Sequence, residues 1–148
     1  MRERLKGRVL LVGIGNSMRG DDGIGPKIIQ LLDGKVKAEL MDVGEVPESY
    51  TDRIIAVQAD TIVLIDAADF GATPGDLAIM DPKDFTGCAV STHRMPLLVF
   101  FRYLQANTHA DMFALGIQAA EIGLGESMSP AVARSVQFLA EFLEEVLA

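Results

Sequence analysis

A chain of 148 residues, 49% of them hydrophobic, can bury the core of one domain, which excludes global disorder and leaves little room for a second domain within residues 1–148. Thirteen basic residues against twenty-one acidic ones give a formal charge of −8, which argues against a nucleic-acid partner, since tracking phosphates needs clustered Lys and Arg. The single cysteine, Cys88, cannot form an internal disulfide, no apolar run reaches the roughly 18 residues of a membrane span, and the charged N-terminus precedes a strand rather than a signal-peptide core, so a cytoplasmic protein without membrane insertion is expected.

Along the chain, short apolar runs alternate with amphipathic ones, the mark of an α/β domain. Arg8 to Ile14 is β-branched and apolar throughout, as a strand buried on both faces should be. Asp22 to Leu32 reads as a helix, with Pro26 tolerated in its first turn and Gly34 just past its end. Val36 to Val43 predicts a second strand, and Ser49 to Gln58 a second helix. Thr61 to Asp66 is the clearest central strand. A shorter strand, Asp76 to Met80, falls between the turn signals Pro74-Gly75 and Asp81-Pro82 and suits a sheet edge. A helix from Pro96 to Gln105, a strand from Met112 to Gln118 and a last helix follow. That last helix opens at Ser129-Pro130, with Ser129 as cap and Val132, Val136, Leu139 and Leu143 along one face. The expected architecture is a three-layer α/β/α sandwich around a mostly parallel sheet of about five strands.

In such sheets ligands bind beyond the carboxyl ends of the strands, which singles out three segments. Gly15 to Gly23 follows the first strand, Asp66-Ala67-Ala68-Asp69 ends the third, and Cys88 to His93 leads into a helix. The first of these is not a nucleotide loop. Met18 stands where a dinucleotide fingerprint needs glycine, and Asp21 and Asp22 stand where a Walker motif needs Lys and Ser or Thr. Two carboxylates at a helix start would also repel a phosphate. Two Asp oxygens and an imidazole nitrogen instead suit a divalent cation such as Zn, Ni, Mn or Fe. The competing reading is that Asp21 or Asp22 caps a helix. Asp66 resists that reading, because a charge ending an apolar strand is costly unless paired or metal-bound. Asp22, Asp66 and His93 are therefore the candidate metal-holding and catalytic set.

These residues carry a family resemblance. Gly13-Ile14-Gly15-Asn16-Ser17-Met18-Arg19-Gly20-Asp21-Asp22-Gly23-Ile24-Gly25-Pro26 resembles the signature loop of [NiFe]-hydrogenase maturation endopeptidases. Leu64 to Asp69, Ser91 to Leu97, Leu115 to Gln118 and Met128-Ser129-Pro130 support it in order and spacing, so that the resemblance runs from about Val9 to Val132. It implies metal ligands at Asp22, Asp66 and His93, an α/β/α fold, and a large-subunit precursor as partner. The implied activity is removal of a short C-terminal extension once the precursor carries its nickel. The cation would then be the substrate's own nickel, with no nucleotide cofactor. Ala119 stands where many members have Pro. Asp42 to Ser49 replaces a Gly-Thr segment and is more similar to the branch that serves hydrogenase 3.

The expected chemistry has no covalent intermediate: a divalent ion polarises the scissile carbonyl and lowers the pKa of a bound water. Cys88 reads as a small buried hydrophobe, and Ser17 and Ser91 lack the elbow motif of a serine hydrolase. Glu48, Asp69 and Asp42 are candidates for shaping the groove, while His109 reads as solvated and Met95 and Met128 as core filler. Two other function classes stand beside the peptidase: a non-catalytic nickel-binding accessory that docks the precursor, and a small-molecule-binding α/β domain.

Overall fold

The computed structural model describes residues 1–81 and 97–148. Among them, five strands form one sheet in the order β2-β1-β3-β5-β4. These are β1 (Val9–Ile14), β2 (Glu39–Gly44), β3 (Thr61–Ala68), β4 (Leu77–Met80) and β5 (Asp111–Gln118). The pairs β1–β2, β1–β3 and β3–β5 are parallel, and only β4 runs antiparallel, at the edge expected for it. Every residue of β1 and β3 is buried, which is what a strand covered on both faces requires of its sequence.

Helices α1 (Ile24–Leu32) and α4 (Pro130–Leu147) cover one face, and α2 (Thr51–Val57) and α3 (Leu97–Asn107) the other. On the first face Ile24, Ile28, Ile29 and Leu32 of α1 meet Val132, Val136, Leu139 and Leu143 of α4 over Leu11, Val63, Ile65 and Phe113. On the second, Phe100, Phe101 and Leu104 of α3 and Ile54 of α2 pack against Leu10, Val12, Ile62 and Leu64. Odd and even positions of β3 thus feed different cores, as the two-residue period of a strand dictates. The result is the three-layer sandwich that the sequence predicts.

Several boundaries move for local reasons. The helix expected from Asp22 begins only at Ile24, because Gly20–Gly23 is a 3-10 turn in which the Asp21 N–H donates to the Glu121 carbonyl (2.6 Å) and the Asp22 N–H to the Arg19 carbonyl (3.1 Å). β2 starts at Glu39 rather than Val36, since the Lys37 N–H is taken by the Leu147 carbonyl at the end of α4 (2.8 Å). The second helix starts as a 3-10 turn at Pro47–Tyr50 and ends where Gln58 turns left-handed, at φ 53°. β3 runs two residues past Asp66. Among the described residues no helix is long and apolar enough to cross a membrane.

Candidate active site

β1 and β3 are neighbours, and the connection leaving β1 runs through α1 to β2 on one side while that leaving β3 runs to β4 on the other, which opens a crevice at the carboxyl ends of β1 and β3. Gly13 pairs with Ile65, which puts the exit of β1 beside Asp66. The start of α1 is pressed directly onto these strand ends. A Cβ on Gly25 would stand 2.4 Å from the Ile14 carbonyl oxygen and 2.6 Å from that of Ile65, and one on Gly13 would stand 2.6 Å from the Gly25 carbonyl oxygen. Only glycine at both positions permits that approach. Gly15, at φ 139°, is held in the same way, since a Cβ there would lie 1.9 Å from the carbonyl oxygen of Asp22. The glycines of the loop therefore seat the Asp21–Asp22 turn at the ends of β1 and β3.

The two neighbouring aspartates have separate jobs. Asp21 is fully buried, and its carboxylate accepts from the Ala120 N–H (2.8 Å), the Glu121 N–H (2.9 Å), the Ser129 N–H (2.7 Å) and the Ser129 hydroxyl (2.8 Å). Four donors fill the lone pairs of a carboxylate, which leaves Asp21 no capacity to hold a cation. Burial pushes its pKa up, but the donors from Glu121, Ala120 and Ser129 more than offset this, and the net shift is downward. Asp21 is thus an anion held by neutral donors, clamping the loop after β1 to the segment between β5 and α4. Helix capping explains neither group: the N-cap of α1 is Gly23, with no side-chain cap bond. Ser129, although placed at the cap of α4, spends its hydroxyl on Asp21 and makes no cap bond.

Asp22 is 2% exposed and accepts from the Asn16 N–H through Oδ2 (3.0 Å), which fixes its side chain across the mouth of its own loop. Asp66 is 1% exposed, opposite Gly116 in β5, and strand alternation puts it on the α2–α3 side with Ile62 and Leu64. Its side chain is therefore internal to the crevice and away from solvent. Asp22 and Asp66 thus place two buried acidic side chains at adjacent strand ends, where a carboxylate is costly unless it is hydrogen-bonded, paired or metal-bound. Among the described residues no group of three His, Cys, Asp or Glu comes together to hold a metal. His93, the third predicted ligand, lies outside the described residues, as do Cys88, Ser91 and Met95.

Beside the Asp22 turn runs a cleft of about 480 Å³, lined by Ser17, Gly20, Gly23, Lys27, Asp42 and Glu126 among others. Asp42 is exposed there and accepts from the Gly44 N–H (3.0 Å). Glu48 is half-buried; its Oε2 is inaccessible and makes no hydrogen bond among the described residues. Asp69 is exposed at the far side of the β3 exit and accepts from the Gly71 N–H (3.3 Å) and from the Gln118 amide (3.2 Å). His109 is exposed, as expected, and Met128 packs against the α1–α4 core.

Sequence reasoning missed two residues that shape this edge. One is Asp21 as a clamp. The other is Gln118, buried, whose Oε1 accepts from the N–H groups of Phe70 and Ala72 and so ties the loop after β3 to the end of β5. The available signal was a polar residue ending each apolar strand; nothing in the periodicity tells which partners it takes.

Comparison with known proteins agrees with this fold. The family model described as hydrogenase maturation protease (HycI) matches residues 26–146. The hydrogenase 3 maturation protease of Escherichia coli K12 is 31% identical over 91% of this chain and 88% of that protein. The crystal structure of a [NiFe] hydrogenase maturation protease from Thermococcus kodakarensis KOD1 superposes with a TM-score of 0.88 at 36% identity, covering 99% of this chain and 97% of that one. The solution structure of an Escherichia coli endopeptidase, HycI, superposes at 0.85 with 30% identity over 94% and 90% of the two chains.

Proposed function

The chain belongs to the hydrogenase maturation protease family, and from that premise we propose that it removes the C-terminal extension of a nickel-loaded [NiFe]-hydrogenase large-subunit precursor. It is an endopeptidase of hydrogenase maturation; the precursor's identity, its nickel and the cleaved tail are the proposal. One arrangement carries it. Asp22 and Asp66, both buried, end up at the neighbouring exits of β1 and β3, while the adjacent Asp21 is fully occupied by protein donors. The site therefore has carboxylates matched to a cation and a separate one matched to structure.

Asp22, Asp66 and His93 are proposed to close around the nickel that arrives with the precursor. Once there, the ion polarises the scissile carbonyl and makes a bound water acidic enough to attack at neutral pH. The protein's own share is placement. The Asn16 N–H orients Asp22, the β3–β5 pairing sets Asp66, and the glycine contacts hold the two at fixed separation. An incomplete ligand shell binds the ion poorly until the precursor supplies the remainder, so cutting waits for nickel insertion. The test is intact mass of nickel-loaded and nickel-free precursor after incubation with the enzyme. Only the loaded form should lose its tail; equal cleavage of both overturns the dependence on nickel, and loss of no mass from either overturns the peptidase assignment.

A further inference from the structure

Cutting a peptide bond takes more than a polarised carbonyl. The attacking water must lose a proton and the departing nitrogen must gain one, and a side chain within reach of both speeds each transfer. Groups that hold a cation spend their lone pairs on it, which points to a further residue. Most other acidic side chains at the carboxyl ends of the strands are unsuited. Asp21 is filled by four donors. Asp42 is exposed, accepts from the Gly44 N–H and, preceding Val43 of the α2–α3 core, faces the α1 side. Asp69 is exposed and bonded to the Gln118 amide, and Glu45, Glu121 and Glu126 are exposed.

Glu48 differs from all of these. Its Oε2 is inaccessible and accepts no hydrogen bond among the described residues, a condition that suits a group whose partner arrives with the substrate. The 3-10 turn Pro47–Tyr50 fixes its place: the Val46 N–H donates to the Val43 carbonyl (3.3 Å), the Ser49 N–H to the Val46 carbonyl (2.9 Å) and the Thr51 hydroxyl to the Glu48 carbonyl (3.3 Å). Pro47 is buried and Tyr50 packs against the α2–α3 core, so the turn sits on the side of the sheet that Asp66 faces. Its base is tied to the loop of Asp22, since the Gly15 N–H donates to the Gly44 carbonyl (2.9 Å) and the next residue, Asn16, orients Asp22. The exits of β2 and β3 are two strand spacings apart, roughly 10 Å. A cation and its bound water reach about 4 Å from a carboxylate oxygen, and a glutamate side chain spans most of the remainder.

We propose that Glu48 carries the proton of the cleavage. The inference rests on the peptidase reading above and adds a catalytic residue to it. As the water oxygen bonds to the scissile carbonyl carbon, Glu48 takes a proton from that water. As the C–N bond breaks, it returns the proton to the nitrogen. The hydroxyl ends in the new carboxyl terminus, the transferred proton in the new amino terminus, and Glu48 is restored.

The experiment uses the whole enzyme and the nickel-loaded precursor. Glu48→Gln keeps the shape of the side chain and removes its capacity to carry a proton; kcat should fall at least about 100-fold and KM stay within about 3-fold. Glu48→Ala should be as slow, and added formate, a small carboxylate that can occupy the vacated space, should restore its kcat at least about 10-fold without affecting wild type. Glu45→Gln, exposed three residues earlier, should change neither constant. A Glu48→Gln enzyme with kcat within about 3-fold of wild type overturns the proposal. So does a loss in both Glu48 variants that formate does not repair, which would make the residue structural. Failure of wild-type enzyme to cut any loaded precursor is a separate outcome: it removes the peptidase reading, and the proton carrier with it.

Discussion

The two ends of the sheet treat acidic residues in opposite ways. At the amino end, Asp111 starts β5 and lies against Arg4, whose Nε and a terminal nitrogen donate to both carboxylate oxygens at 3.0 and 2.8 Å. Asp81 lies 3.0 Å from the other terminal nitrogen, and the guanidinium sits 4.2 Å above the Phe113 ring. Arg4, Asp81 and Asp111 there meet opposite charge at a partly exposed surface. At the carboxyl end Asp21, Asp22 and Asp66 are all 2% exposed or less, and the partners of Asp21 are neutral N–H and O–H groups. The first arrangement is finished as folded. The second gathers buried acidic residues where strand exits and a helix start converge, with backbone donors on Asp21 and Asp22, and it is there that the proposal above seats the precursor's cation.

The largest effects should come from breaking the carboxyl end. Asp22→Asn and Asp66→Asn remove a charge that the reaction is proposed to need; several kcal/mol of transition-state stabilisation at about 1.4 kcal/mol per decade means a loss of roughly 10³-fold or more in kcat/KM. Their urea midpoints should fall modestly, because a buried carboxylate with protein partners, such as Asp22 with the Asn16 N–H, loses a charged acceptor. Precursor mass spectrometry checks the first outcome and chemical denaturation the second; retained cleavage by either variant would remove that residue from the site. His93→Ala should match them in activity.

Asp21→Asn should behave differently. It leaves shape nearly intact but replaces one acceptor oxygen by an –NH2 donor that faces N–H or O–H donors, at a cost of roughly 2–4 kcal/mol. The stability loss should be visible as a lower urea midpoint at pH 7. Acid should expose the same group. Its pKa is lowered on folding from the ordinary 3.8, so its contribution is complete above that value and is lost as pH falls through the lower folded value. In Asp21→Asn the decline of the midpoint below pH 4 should be shallower than in wild type. An identical slope would mean that the clamp carries no charge.

Much of this was legible in the sequence, and the misses share a cause. β1, β3 and β5 announce themselves because burial on both faces leaves only apolar residues, and a polar residue then marks where each strand nears its end: Asp66 in β3 and Gln118 in β5. Asp22 could be picked out on another ground, as a carboxylate at a loop–helix junction where a phosphate-binding loop would carry none. The Asp21–Ser129 clamp could not, because its partners are 108 residues apart and three of its four donors are backbone N–H groups, the fourth being the Ser129 hydroxyl. Ser129 before Pro130 reads as a cap in any sequence; only the approach of the loop after β1 redirects its hydroxyl. The Gly13–Gly25 contact was hidden likewise. A glycine needed for close packing looks the same as one needed for a turn.

The smallest effects should come from the amino end. Arg4→Met removes a two-pronged bond to Asp111, the contact with Asp81 and the stacking over Phe113, yet keeps an apolar stem to cover the ring. Arg4 and Asp111 side chains are 30% and 49% exposed, so solvent screens much of the attraction and a loss of only about 1 kcal/mol is expected. Arg4→Lys should recover part of that, because an ammonium keeps the charge but lacks the planar fork. The Asp111 pKa is lowered chiefly by its bonds to Arg4, so the pair's contribution, like that of Asp21, stands above pH 3.8 and fades below it. Neither variant should alter kcat or KM. A change in kcat at full folding would show that the charges at the two ends are coupled through β3 and β5, and the division of labour between finished and waiting carboxylates would have to be abandoned.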